Sequence, residues 1–407
     1  MRVAYVCTDV GVPVFGRKGA SVHVQAVVRA LLRRGAEVHL LAARLGGSPP
    51  ADFAEVRVHI LPVERSHDPA DDEARAQRAD AAAATVLDDI QAEAPIDLVY
   101  ERYSLWGRTA TSWAQRHGVP SLLEVNAPLV DEQATHRILH DRPAAEAVAL
   151  HAFGAASAIV CVSDGVAAWA RSRSKDPSRV HVISNGVDTT RVRPSGRPPA
   201  PATGALFTVG FVGTLKPWHG VETLIEAFAV LTAADPSYRL LLVGDGPQAG
   251  PLREQAERAG ISHAVQMTGS VDPDEVPDLL RGMDVAVAPY PALKGFYFSP
   301  LKVTEYLAAG LPTVASRVGP LPELLDLGRA GVLVPPGDPV ALAAAIRALR
   351  ADPARRTELA RTGRLRAISQ YEWSSVVSRA LALVDLRHDH DHCHDHDREP
   401  EVAHGLA

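Results

Sequence analysis

The feature that most constrains this chain is an alternation. Short apolar runs lead into glycine-bearing loops and then into stretches with apolar residues at helical spacing, and the pattern recurs along most of 407 residues. In the first unit, residues 3–8 form the apolar run and Gly11, Gly16 and Gly19 punctuate the loop. Residues 21–32 then carry the helical spacing, with Ser21 at the start, Arg33 and Arg34 in the last turn and Gly35 as the C-cap. The same reading predicts strands near 37–43, 56–63, 97–101, 120–125, 158–162 and 180–183, with helices near 72–94, 104–117, 143–157 and 163–172. Strands that alternate with helices in this way imply a parallel sheet covered by helices on both faces.

The pattern breaks once. Residues 193–204 are rich in Pro and Gly and have no periodicity, which reads as an interdomain linker. A second series starts at Phe207, with strands expected near 239–243, 264–268, 284–288, 312–315 and 331–334. The expected division is a Rossmann-like half over 1–192, a linker over 193–206, a second half over 207–370, an amphipathic final helix over 371–386 and a disordered tail over 387–407.

Composition agrees with a large globular chain. With 46% hydrophobic and 22% charged residues it is neither disordered nor fibrous, and no run of 18 apolar residues could cross a bilayer. The net charge of −6 argues against nucleic-acid binding through overall positive charge. Most of that charge sits in residues 387–407, which hold six acids against two bases. Cys7 and Cys161 lie inside apolar runs, so a disulfide framework is not expected. The N-terminus lacks the long apolar core of a signal peptide, and the expected compartment is the cytoplasm.

Three segments carry chemistry. In the first, Ser299 suits an N-cap, Pro300 the first helical position and Gly310 the residue past the end. The free N–H groups and positive dipole of such a helix make an anion site that a diphosphate would fit, and Glu305 could accept from paired sugar hydroxyls. The alternative is a well-capped core helix whose Glu305 faces water. The second segment, Gly213-Thr214-Leu215-Lys216-Pro217-Trp218-His219-Gly220, is a loop after a strand, where α/β folds bind ligands. Lys216 there is either a phosphate cation or a solvated surface lysine. The third, around Asp245, is a tight glycine turn at a strand end.

Taken together, Gly-Phe-Val-Gly-Thr-Leu-Lys216-Pro-Trp-His219-Gly, Leu-Leu-Val-Gly-Asp245-Gly-Pro and Ser299-Pro-Leu-Lys302-Val-Thr-Glu305-Tyr-Leu-Ala-Ala-Gly resemble the donor half of the family 4 glycosyltransferases. Gly19-Ala-Ser-Val-His23, Val162-Ser-Asp164 and Ile183-Ser-Asn185-Gly-Val-Asp188 agree in the first half. The resemblance covers roughly residues 1–386. It implies a GT-B fold, two Rossmann-like domains facing across a cleft with the last helix crossing back. It also implies transfer of a sugar from a nucleotide diphosphate sugar, UDP by base rate, to an acceptor hydroxyl with retention and without a metal or other cofactor. Glu305 would hold the ribose hydroxyls, the N–H groups of Leu301 and Lys302 the diphosphate, and Lys216 the leaving phosphate. Gly16 to Gly19 would close on the donor from the opposite domain and Ser270-Val271 would read the base. Gly213, Thr214, His219, Asp245, Phe298 and Ser299 complete the expected donor site.

Four positions depart from the family pattern. Tyr297 stands where a first glutamate is usual, Thr214 and His219 where Arg and Lys are usual, and Asn126 where many members place a histidine near the acceptor. Glu124, Asn126 and Glu132 are the acceptor-side candidates, with no choice among them. The reading is an active subgroup with different sugar contacts; the alternatives are a non-catalytic nucleotide-sugar-binding subunit of a partner transferase, or another GT-B reaction such as epimerisation. The acceptor is expected to be a polysaccharide, a natural product or a lipid-linked glycan, with at most peripheral membrane contact. In the tail, His388, His390, His392, Cys393, His394 and His396 could bind a metal, or simply form a solvating extension; that metal would not be catalytic.

Overall fold

The computed structural model describes residues 1–63, 71–196, 205–293, 296, 297 and 299–384. Linker residues 197–204, Phe298 and the histidine-rich tail lie outside the described residues.

The first half is a seven-stranded sheet. Its strands are β1 (Arg2–Cys7), β2 (Glu37–Ala42), β3 (Arg57–Ile60), β4 (Leu98–Arg102), β5 (Ser121–Val125), β6 (Ala158–Cys161) and β7 (Val180–Val182), paired in the order β3-β2-β1-β4-β5-β6-β7. Every pairing is parallel. Helices α1 (Gly19–Leu32), α2 (Asp72–Glu93), α3 (Thr109–His117), α4 (Leu129–His136), α5 (Arg142–Ala155) and α6 (Asp164–Arg171) connect them. The central strands are buried on both faces, the arrangement that continuous apolar runs produce.

The second half repeats the plan with six strands: β8 (Phe207–Val212), β9 (Tyr238–Val243), β10 (Val265–Met267), β11 (Val285–Ala288), β12 (Thr313–Ser316) and β13 (Val332–Val334), in the order β10-β9-β8-β11-β12-β13 and again parallel. Its helices are α7 (Val221–Ala234), α8 (Ala249–Arg258), α9 (Val276–Arg281), α10 (Leu301–Ala308), α11 (Leu321–Leu324), α12 (Pro339–Ala351) and α13 (Pro353–Arg366). In each half the strand order reverses about the first strand, which opens a crevice at the carboxyl ends of β1 and β4, and of β8 and β11.

The last helix, α14 (Trp373–Leu381), belongs to the core of the first half. Trp373, Val376, Val377, Ala380 and Leu381 are buried in the cluster that also holds Val24, Val27, Val28 and Leu31 of α1. Each large apolar side chain so buried is worth about 1.5–3 kcal/mol, so the crossing is a packed joint. Hydrogen bonds reinforce it: Val187 N–H donates to Tyr371 O at 2.7 Å, and the Thr189 N–H and hydroxyl both donate to Glu372 Oε2, at 2.9 and 2.5 Å. At Gly186 a Cβ atom would come within 2.6 Å of the Trp373 ring, so the absent side chain is what lets the indole lie there.

The carboxyl ends of the two sheets face each other. Ser163, just past β6, donates its hydroxyl to Tyr297 O, past β11, and Arg17 pairs with Asp272 across the same gap. Among the described residues no helix is long and apolar enough to cross a membrane.

Candidate active site

On the side of the second half, two bare glycines bring three loops together. Gly213 ends β8 at φ +142° and Gly244 ends β9 at φ +131°; a Cβ atom on Gly244 would stand 2.2 Å from Gly213 O. Neither conformation suits a side chain. Leu215 N–H then donates to Asp245 O at 2.9 Å, which joins the 213–216 loop to the 244–246 turn, while the Asp245 carboxylate accepts from Gly246 N–H at 2.8 Å.

Helix α10 enters the crevice between β8 and β11. The Tyr306 hydroxyl accepts from Val212 N–H at 2.8 Å and lies 3.5 Å from Val287 O, so the helix is tied to both central strands. It begins later than the sequence predicts. Pro300 is its N-cap and Ser299 makes no side-chain cap; Ser299 O instead accepts from Leu301 N–H at 3.0 Å. Gly310 takes φ +63° past the other end, as expected.

Lys302 is the second residue of α10 and only 8% exposed. Its Nζ lies 4.0 Å from the ring centre of Phe211 and 5.2 Å from that of Tyr290, without a hydrogen-bond partner among the described residues. Burial brings this amine down to about 7, against the opposing pull of Glu305. The Glu305 carboxyl is raised by burial, although Arg191 and Lys302 draw it the other way, and no described residue hydrogen-bonds it. His219, with Nδ1 against Thr214 O, is brought down to about 4 by burial and by Lys302, so its ring is neutral at pH 7. Thr214 is exposed, and the half-buried Lys216 holds its amine 5.5 Å over the Trp218 ring.

On the facing side, Glu124 at the end of β5 is the centre of a buried polar cluster. It accepts from Tyr100 Oη at 2.7 Å, Arg102 at 3.2 Å and Asn126 Nδ2 at 2.5 Å. His23 Nε2 of α1 approaches the same carboxylate to 2.8 Å, off the line of a hydrogen bond, and its ring meets Trp373 edge-on at 4.8 Å. Burial would raise the Glu124 carboxyl, but His23, Arg102 and Asn126 outweigh it and hold it at about 2. The carboxylate is ionised and 3% exposed, so it positions Asn126 and His23 and does not itself face the cleft. Glu132, on α4, is half-buried.

The family described as Glycosyl transferases group 1 matches residues 207–352, and Glycosyltransferase Family 4 matches residues 17–191. D-inositol 3-phosphate glycosyltransferase 1 of Catenulispora acidiphila is 30% identical over 322 residues, 72% of this chain and 73% of the relative. The chain belongs to glycosyltransferase family 4. A glycogen synthase of Mycobacterium tuberculosis is 32% identical over 231 residues, 56% of this chain and 53% of the relative, so the chain matches about half the length of that protein. Sucrose-phosphate synthase from Thermosynechococcus elongatus superimposes with a TM-score of 0.67 at 22% identity, over 93% of this chain and 96% of that one. Anabaena HepE in complex with UDP and glucose gives 0.66 at 19% identity, over 93% and 98%. These two likenesses show the GT-B fold.

Within this glycosyltransferase, Gly213, Thr214, Lys216, His219, Asp245, Leu301, Lys302 and Glu305 belong to the loops and helix that meet at the β8–β11 crevice. Ser270 and the half-buried Val271 precede Asp272, whose pairing with Arg17 sets them opposite the Gly16–Gly19 loop. Gly16 is close-packed, a Cβ there meeting Pro13 at 2.8 Å and Ser21 Oγ at 2.9 Å, whereas Gly19 has open space around it. Tyr297 goes elsewhere: its ring packs against the apolar core of the first half, near Glu132. Sequence reasoning passed over Tyr100, Arg102, Phe211 and Tyr290. Tyr100, Arg102 and Phe211 lie inside apolar strands, where a residue's face cannot be told without the register.

Proposed function

We propose that this family 4 enzyme transfers a sugar from a nucleoside diphosphate sugar to an acceptor hydroxyl with retention of anomeric configuration and without a metal. The observation that carries the reading is α10, whose first turn lies in the β8–β11 crevice and whose Glu305 carboxylate has no partner among the described residues. A helix N-terminus favours a bound anion by about 0.3–1 kcal/mol or more. Glu305 then accepts from the ribose hydroxyls, and the backbone beside Lys302 faces the diphosphate. In the transfer the bond from the anomeric carbon to the diphosphate oxygen breaks, and its electron pair stays on that oxygen. The acceptor oxygen bonds to the carbon and gives up its proton to the departing diphosphate. Lys216 stabilises the charge that grows on the leaving group.

HepE holds UDP and glucose, which makes UDP the first nucleotide to test. The relatives named for D-inositol 3-phosphate and for glycogen synthesis make a phosphorylated polyol and a glucan the first acceptors to test. The experiment is a thermal-shift screen against UDP-, GDP-, ADP- and TDP-sugars, followed by product anomer analysis for the donor that binds. A rise in melting temperature with one nucleotide series and a product of unchanged anomeric configuration are expected. No shift with any nucleotide sugar, or an inverted product, would refute the reading.

A further inference from the structure

We infer that the side-chain amine of Lys302, and not only the backbone beside it, is the cation that meets the donor's diphosphate. This rests on the donor reading above and adds a residue to it.

The first observation is burial without a partner. An amine 8% exposed and lacking a hydrogen bond among the described residues is costly to keep, the more so when charged. The faces of Phe211 and Tyr290 offset part of that, because an aromatic face attracts a cation. The side chain is therefore held in place as a potential cation, with its hydrogen-bonding capacity unspent.

The second observation is direction. A Cβ atom on Gly213 would stand 3.0 Å from Nζ and 3.1 Å from Cε, so the bare glycine leaves the space through which an anion at the loop can reach the amine. Gly213, the 244–246 turn and the first turn of α10 surround this point.

The third is depth: among the described residues around Gly213 no other cation is buried as deeply as Lys302, Arg191 near Glu305 being about a third exposed. Thr214 carries no charge and His219 is neutral at pH 7, while Lys216 lies over Trp218 nearer the solvent. The groups facing the Lys302 amine are Glu305 on its own helix, His219 from the loop after β8 and Tyr290 from the end of β11. With burial holding this amine at about 7, an arriving diphosphate draws a proton onto it, increasingly so as pH rises above 7.

The test uses the full chain, Lys302→Met and Lys302→Arg, titrated calorimetrically with UDP, GDP, ADP, TDP and inorganic pyrophosphate at pH 8 in two buffers of different ionisation enthalpy. Whichever diphosphate binds the wild type is expected to lose at least tenfold in affinity with Lys302→Met and to recover part of it with Lys302→Arg. Proton uptake on binding is expected in the wild type and absent in Lys302→Met. Melting temperature is expected to hold or rise in Lys302→Met, because an unpartnered buried amine is removed. Equal affinity and equal proton uptake in wild type and Lys302→Met would overturn the inference while leaving the donor reading intact; a wild type that binds no diphosphate would remove both.

Discussion

Glu124→Gln isolates the buried polar cluster at the end of β5. The carboxylate sits at the end of β5 among Tyr100, Arg102, Asn126 and His23, and these partners bring it from 4.5 to about 2. A difference of that size corresponds to ~3 kcal/mol of folding stability. Because the folded-state value is the lower one, the stabilisation is present above pH 4.5 and is lost as pH falls toward 2. The amide keeps the shape but not the charge, and it leaves the 9%-exposed Arg102 without its counter-ion, a loss of about 3–5 kcal/mol for a buried pair. Urea unfolding followed by tryptophan fluorescence reads this directly, since Trp106, Trp113 and Trp169 are all buried in the first half. The gap between wild type and Glu124→Gln is expected to be ~3 kcal/mol at pH 7 and to close as pH drops below about 4.5. A gap under ~1 kcal/mol at pH 7, or one that persists unchanged at pH 3, would refute the ionised, multiply paired carboxylate.

Glu305→Ala is expected to weaken nucleotide binding at least tenfold, ~1.4 kcal/mol, in a calorimetric titration with the nucleotide that the screen identifies; unchanged affinity would remove Glu305 from the ribose site. Lys216→Ala is expected to lower turnover more than donor affinity, because the charge it meets grows as the bond breaks, and steady-state kinetics beside direct binding would expose equal losses. Gly186→Ala places a methyl 2.6 Å from the Trp373 ring, which should displace the indole at a cost of about 1–3 kcal/mol and quicken proteolysis around residues 371–384. Unaltered proteolysis would mean that the joint has slack.

The alternation of strands and helices was readable because parallel strands are apolar along their whole length and their helices show one apolar face. The exact bounds of some helices were not. The sequence predicts a helix from 104, since Ser104-Leu105-Trp106 has suitable apolar spacing, yet α3 starts at Thr109. There the Asp80 carboxylate of α2 accepts from the N–H groups of Arg108 and Thr109, a cap supplied from 28 and 29 residues away. Helix α4 gave no periodic signal because it is short and contributes little beyond Leu129 and Val130 to the core. The late start of α10 at Leu301 likewise reflects backbone geometry at Ser299 and Pro300 that side-chain preferences do not encode.

The loops of the candidate site were legible as loops at strand ends, and what each side chain touches there was not. Glu124 and Glu132 read alike as acids near the acceptor, but the strand register encloses one among four polar partners and leaves the other half-buried on α4. The two lysines make the same point with larger consequence. Lys216 is half-buried and nearer the solvent, its amine over the Trp218 ring. Lys302 is walled by Phe211 and Tyr290, from the ends of β8 and β11, and is only 8% exposed, so a charge facing it is screened less by water. On the reading proposed above the two cations divide the work, Lys302 meeting the bound diphosphate and Lys216 the charge that grows on the leaving oxygen, and only the fold, by setting those rings around one amine and not the other, tells the two lysines apart.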